Sequence, residues 1–273
     1  MRVKDITAVL EGFAPLSVQE SWDNSGLLIG SPNDDVTGVL VGFDCTPELV
    51  DEAVSRGCNL VVTHHPLIYK GVKRISSRDP VGAAIVKAVK AGVAVYAAHT
   101  TADKVIGGVS YDMAGKLALR DVQILMPDAE GVGLGCVGNL PHELSAEEAL
   151  EYARKAFGLT VIRHSKPVSV PISRVAVMGG SGGSEIGAAM AAGAQLYITG
   201  DISYHNFFQP EGFMVMDIGH FESEVGIVDI FLSEIRKIFP NFAVLKSEVL
   251  EGSNPVRYYG IAGQAGNDDG KSK

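Results

Sequence analysis

Cysteine is scarce in this chain: there are three, Cys45, Cys58 and Cys136, with no CxxC spacing. Such a set provides neither a disulfide framework nor a thiolate zinc site, and an odd number suits a reducing compartment. Each is expected to be a small buried residue. No uninterrupted apolar run is long enough to span a bilayer, and Met1-Arg-Val-Lys-Asp5 lacks the apolar segment of a signal peptide. A cytoplasmic protein without a membrane partner is the expectation. Cations are also in deficit, with 23 Lys and Arg against 32 Asp and Glu and a net charge of −9. Nonspecific binding to nucleic acid or anionic lipid rewards clustered cations, so both are disfavoured. Any anionic ligand must be met by a local group of Lys and Arg.

What is present begins with enough apolar material, 46% of 273 residues, to bury the core of one large or two ordinary domains. The most informative stretch is Leu60-Val-Val-Thr-His-His-Pro66. Leu60 to Thr63 read as a buried strand, and Pro66 stops the ladder, so both imidazoles fall at the strand's carboxyl end, where open α/β sheets carry their chemistry. Adjacent side chains on a regular strand face opposite ways. His64 and His65 therefore share a site only if the backbone turns before Pro66; otherwise one is structural and the other lies on the surface.

The chain also resembles itself. When Asp51-Glu-Ala-Val-Ser-Arg-Gly-Cys-Asn-Leu-Val-Val-Thr63 is laid over Gly187-Ala-Ala-Met-Ala-Ala-Gly-Ala-Gln-Leu-Tyr-Ile-Thr199, alanine, glycine, leucine and threonine recur in step. The preceding strands, Val39-Leu-Val and Val175-Ala-Val, align at the same offset. A second match sets Gly92-Val-Ala-Val-Tyr-Ala-Ala-His99, followed by Asp103, beside Gly212-Phe-Met-Val-Met-Asp-Ile-Gly-His220, followed by Glu224. Two strand-helix-strand halves, each ending in His-x-x-x-acid, imply a duplicated α/β unit. The expected division is residues 1–126, residues 127–265 and a polar, glycine-rich flexible tail at 266–273.

Local signals fill in the rest. Ile6, Val9, Leu10 and Phe13 share a helical face; Thr46-Pro-Glu48 opens a helix running through Arg56; Ser145-Ala-Glu-Glu148 is a capping box for another through Phe157. Ser21-Trp-Asp-Asn-Ser-Gly26 holds the only tryptophan, in a turn that either anchors a loop or lines a pocket. Gly179-Gly-Ser-Gly-Gly183, between a strand and a helix, is either an anion cradle or a tight connection.

Gathered at the strand ends are His64, His65, Asp103, His220 and Glu224. Imidazoles with hard carboxylates suit Zn, Fe(II), Mn, Co or Ni, and five ligands suit two divalent ions rather than one tetrahedral site. A pair of such ions implies hydrolysis. His99 is expected just behind these ligands. Asp201 and His205 occupy the second-copy position matching the His-His pair, so His99, Asp201 and His205 are the candidates for catalytic work, orienting ligands or handling protons. Lys70, Lys73 and Arg74 are the candidate phosphate binders, against a solvated basic loop as the alternative.

With these residues assembled, the chain resembles the GTP cyclohydrolase I type 2 family, also called Nif-three-like or dinuclear-metal-centre proteins. The matching motifs are Ser21-Trp-Asp-Asn-Ser-Gly-Leu27, Val62-Thr-His-His-Pro66, Ala98-His-Thr-Thr-Ala-Asp103, Ile198-Thr-Gly-Asp201 and Gly219-His-Phe-Glu-Ser-Glu224. The resemblance implies two α/β domains of similar topology, a dinuclear metal site in the cleft between them with the five ligands above, and a ring-shaped homohexamer. Asp128 to Pro171 is too short for the extra domain some relatives insert. The implied activity is metal-dependent hydrolysis, a hydroxide bridging the two metals attacking GTP, another nucleotide or a related phosphorylated substrate. The rival expectation is a ring-shaped metal-binding or adaptor protein without turnover.

Overall fold

The apolar spacing at the start of the chain forms α1 (Val3–Phe13), which buries Val3, Ile6 and Leu10. The structure is a computed structural model that describes residues 1–259; the tail expected at 266–273 lies outside the described residues. β1 (Gly26–Ile29) and β2 (Val39–Val41) follow. Thr46 caps α2 (Pro47–Ser55), its side chain accepting from the Leu49 N–H at 3.2 Å, with Pro47 at the first helical position. β3 (Leu60–Thr63), α3 (Pro80–Ala91), β4 (Ala94–Ala97), α4 (Thr100–Asp103) and α5 (Val109–Lys116) come next.

β5 (Arg120–Ala129) and β6 (Val132–Leu144) pair as an antiparallel hairpin. The Ser145–Glu148 capping box then starts α6 (Ala146–Ala156). The remaining elements are β7 (Arg163–His164), β8 (Ile172–Ser181), α7 (Ile186–Ala191), β9 (Leu196–Gly200), β10 (Met214–Asp217), α8 (His220–Glu224), α9 (Ile227–Ile238) and β11 (Val244–Lys246).

The architecture is mixed α/β with two sheets, ordered β1-β4-β3-β2-β11 and β5-β6-β8-β9-β10-β7. In the first, β4, β3, β2 and β11 run parallel beside an antiparallel edge strand, β1. In the second, β8, β9 and β10 run parallel beside an antiparallel edge strand, β7. The ladders match position for position: Val39 pairs with Leu60 as Val175 does with Leu196, and Thr63 with Ala97 as Thr199 does with Asp217. On this register His99 corresponds to Gly219, the two helix-capping residues, and not to His220. Aligning histidine on histidine was therefore off by one residue.

The two sheets do not divide at residue 126, which lies inside β5. Residues 244–246 cross back and extend the first sheet beside β2. The cause is α9, whose buried Ile227, Phe231, Leu232 and Ile235 join the core cluster of Ile6 and Leu10 from α1. An amphipathic face that wide must be covered, and the strand after it is carried along. No helix among the described residues is long and apolar enough to cross a membrane. All three cysteines are free and buried, and burial pushes the thiols of Cys45 and Cys136 up to about 12. Buried thiols held protonated are inert.

Candidate metal centre

At the end of β3 the backbone leaves the ladder. The N–H groups of His64 and His65 both donate to the Phe43 carbonyl, at 3.1 and 3.2 Å, which no regular strand permits. The turn places two adjacent imidazoles in one site, with ring centroids 4.9 Å apart. Asp103 arrives on α4, and His220 and Glu224 arrive one turn apart on α8. These elements follow the carboxyl ends of β4 and β10.

Three overlapping sets of ligand atoms result, each set within 4.8 Å of one another: His64, His65 and His99; His65, His220 and Glu224; His64, Asp103 and Glu224. The five ligands expected from sequence are brought together. His99, expected behind them, offers a ring nitrogen among them.

Each imidazole has its outer nitrogen held. His64 donates from Nδ1 to the Ala98 carbonyl at 2.9 Å, His65 to Asp44 at 2.7 Å, His99 to Asp23 at 2.8 Å and His220 to Asp201 at 2.8 Å. All four Nε2 atoms are thereby turned inward, the arrangement by which proteins fix metal-binding histidines. Asp201 was singled out in the sequence and takes this orienting position. Asp44, three residues past the end of β2, carries no such sign in the sequence, and Asp23 stands out there only as part of the tryptophan turn.

The charges are concentrated. Burial raises the Glu224 carboxyl, yet hydrogen bonds from His220 and His65 and the charge of the nearby His64 outweigh this and hold it well below the ordinary range. Burial drives the Asp103 carboxyl up to about 6, against the pull of His64. Burial lowers His65, but its hydrogen bonds to Asp44 and Glu224 prevail and lift it to about 10; His220, between Glu224 and Asp201, rises to about 9.

Two atoms test whether a cation fits. His64 Nε2 and Asp103 Oδ1 are buried, lie 3.6 Å apart, and have no hydrogen-bond partner among the described residues. Orphaned polar atoms at that depth are costly, and a lone pair facing a carboxylate oxygen is what a divalent ion satisfies. Glu224 Oε2 is also 3.6 Å from that Nε2. The donor set therefore fits hard or borderline divalent metals.

The glycine stretch after the Val175 strand serves this cluster sterically. A Cβ on Gly180 (φ +63°) would overlap Glu224 Oε1, and one on Gly179 would come within 3.1 Å of Glu224 Cγ. The Gly180 and Gly182 N–H groups donate to Ser223 Oγ and Thr199 Oγ1, at 2.9 and 3.0 Å. These two N–H groups are thus committed within the protein and do not cradle an anion.

A cavity of about 480 Å³ opens over the cluster, lined by His65, His99, Asp103, His220 and Glu224 as well as Trp22 and Tyr69. Lys70 follows Tyr69, its Nζ 6.0 Å from that ring, and Lys73 and Arg74 are exposed on the same loop. None of the three lines the cavity. His205 is not brought to the cluster: it lies exposed on the turn Tyr204–Phe207, against the Tyr204 ring.

Residues 1–255 match the family model for Duf34/NIF3, NGG1p interacting factor 3. The chain belongs to this family. A Clostridium perfringens member named GTP cyclohydrolase 1 type 2 homolog is 32% identical, with 82% of this chain and 87% of that protein covered. One of the same name from Lactococcus lactis is 33% identical over 93% of this chain and 98% of its own length. Among solved family folds, a Staphylococcus aureus hypothetical protein superposes with a TM-score of 0.86 at 28% identity, covering 94% of this chain and 99% of its own.

Proposed function

We propose that this Duf34/NIF3 protein is a metal-dependent hydrolase of GTP or a related phosphorylated nucleotide, with two divalent ions held by His64, His65, Asp103, His220 and Glu224. The observation that carries this reading is the convergence of those side chains, with buried His64 Nε2 and Asp103 Oδ1 left partnerless among the described residues, at an open cavity that His65, Asp103, His220 and Glu224 line. The relatives' GTP cyclohydrolase 1 type 2 homolog names favour the same substrate class. Zn, Fe(II), Mn, Co and Ni all suit such ligands. When bound, a pair of these ions supplies Lewis acidity and brings a coordinated water's pKa toward neutrality.

The chain's own contribution is positional. Asp44 and Asp201 fix the tautomers of His65 and His220, and Asp23 fixes His99. His99 lines the cavity, and the ring nitrogen not bonded to Asp23 would take or return a proton. Lys70, Lys73 and Arg74 would meet the phosphates as they extend past Tyr69. The cavity, for which a non-catalytic adaptor has no use, favours the enzyme over that rival.

The reading includes a homohexameric ring, checked by native mass. Its chemical test is formate release from GTP by metal-loaded protein. Steady release that is lost in His65→Ala supports the reading; metal-loaded protein inert toward nucleotides removes it.

A further inference from the structure

The only tryptophan belongs to none of the hydrophobic core clusters among the described residues. Trp22 is 55% exposed and Tyr69 is 45% exposed, yet both line the cavity over the metal-ligand cluster. Large aromatic side chains left open to solvent inside a cavity are unusual unless a ligand covers them. Their rings stand edge to face, centroids 6.0 Å apart, and each also meets the His99 ring, at 6.0 and 6.2 Å.

The indole does not hold its turn in place; Asp23 does. That carboxylate accepts from the Asn24 N–H at 2.7 Å, Ser25 Oγ at 2.8 Å, the Thr100 N–H at 3.1 Å and Thr100 Oγ1 at 2.6 Å, besides His99. Asn24 Nδ2 then donates to the Ile68 carbonyl at 2.5 Å, stapling the tryptophan turn to the residue before Tyr69. Two aromatic rings from separate loops are thus fixed relative to each other by polar bonds behind them, while about half of each side chain stays open to solvent.

We propose that Trp22 and Tyr69 form a stacking platform for a planar heteroaromatic ring of the ligand, with His99 as its inner edge. The edge-to-face pairing leaves no slot between the two rings, so the ligand ring stacks on an open face of the pair. Stacking on an aromatic side chain tolerates any flat heterocycle, because each has a π-face. The platform therefore holds the base, whose imidazole carbon is the one released as formate, with that reacting edge toward the cluster below. This inference deepens the nucleotide-hydrolase reading and rests on the cavity being a substrate site.

The single tryptophan makes the test direct, since intrinsic emission reports Trp22 alone. The metal-loaded full chain is titrated with guanosine, adenosine, riboflavin and ribose 5-phosphate, following that emission. Saturable quenching by at least one heterocycle, none by ribose 5-phosphate, and roughly tenfold weaker quenching affinity in Tyr69→Ala are expected. Trp22→Leu, followed by equilibrium dialysis, should weaken binding of the same heterocycle by a similar factor. Melting temperatures of both variants check that the fold persists; if either is unfolded, Trp22→Phe and Tyr69→Phe, which keep a ring, should bind as the parent does. Emission unchanged by every heterocycle, or heterocycle binding indifferent to Trp22→Leu and Tyr69→Ala in folded protein, overturns the platform. Quenching by adenosine or riboflavin but not by guanosine upholds the platform and removes GTP as substrate, so the two readings fail separately.

Discussion

The carboxylate of Glu224 lies 3.1 Å from His65 Nε2, although 159 residues separate the two along the chain. The same oxygen is 3.0 Å from His220 Nε2 and 3.6 Å from His64 Nε2, so one atom faces three imidazoles. Glu224→Gln keeps the shape and removes the charge. The expected outcome is a fall from about two bound divalent ions per chain to at most one, measured by metal analysis after dialysis. Unchanged metal content would show that Glu224 is not a shared ligand.

The carboxylates behind the rings act at one remove. Asp201→Asn and Asp44→Asn leave every proposed ligand in place but offer an amide to Nδ1 of His220 and of His65. Metal affinity should fall about 10- to 100-fold in each, read by competition with a chelator dye. His205→Ala, at an exposed position away from the cluster, should not change it.

Proton linkage gives a signed prediction for the metal-free protein. His65 at about 10 and His220 at about 9 both lie above the ordinary 6.5, so the fold binds these protons more tightly than the unfolded chain does. Their contribution is fully present below pH 6.5 and is lost as pH rises through about 9 to 10. The metal-free melting temperature should therefore drop across that alkaline window. Cations compete with the same protons, so affinity should rise over it, with proton release visible by calorimetry in two buffers of different ionisation enthalpy. A flat melting profile with no proton release would contradict the assignment.

Gly180 should tolerate nothing larger. Its φ of +63° is left-handed, and a methyl group there would strike Glu224 and come within 3.3 Å of His220 Cε1. Gly180→Ala should lower stability by about 1–2 kcal/mol from backbone strain and also weaken metal binding. Gly158→Ala is the control: its φ is +66° but its Cβ would meet open space. It should show a comparable stability loss with metal affinity intact.

The parts of this fold legible in the sequence are those set locally or by strand ends. Thr46 and Ser145 cap the helices they precede because capping uses bonds within one turn. His64 and His65 were readable as a pair because Pro66 forces the strand to stop. The less legible features are long-range. Nothing in Val244-Leu-Lys246 says that it rejoins the first sheet; that follows from where α9 buries its face. Asp44 pairs with His65 across two strands, and only its place after β2 hints at it. The segment ending at His220 is visibly one residue longer than that ending at His99, but which residue is the extra one needed the ladder to reveal it.

The central claim is that five side chains from distant segments grip a pair of divalent cations. Anomalous scattering from crystals grown with Co(II) tests it most directly. Two peaks about 3.5–4 Å apart, in contact with His64, His65, Asp103, His220 and Glu224, are predicted. A cluster without anomalous density, or a lone ion elsewhere on the chain, would contradict it.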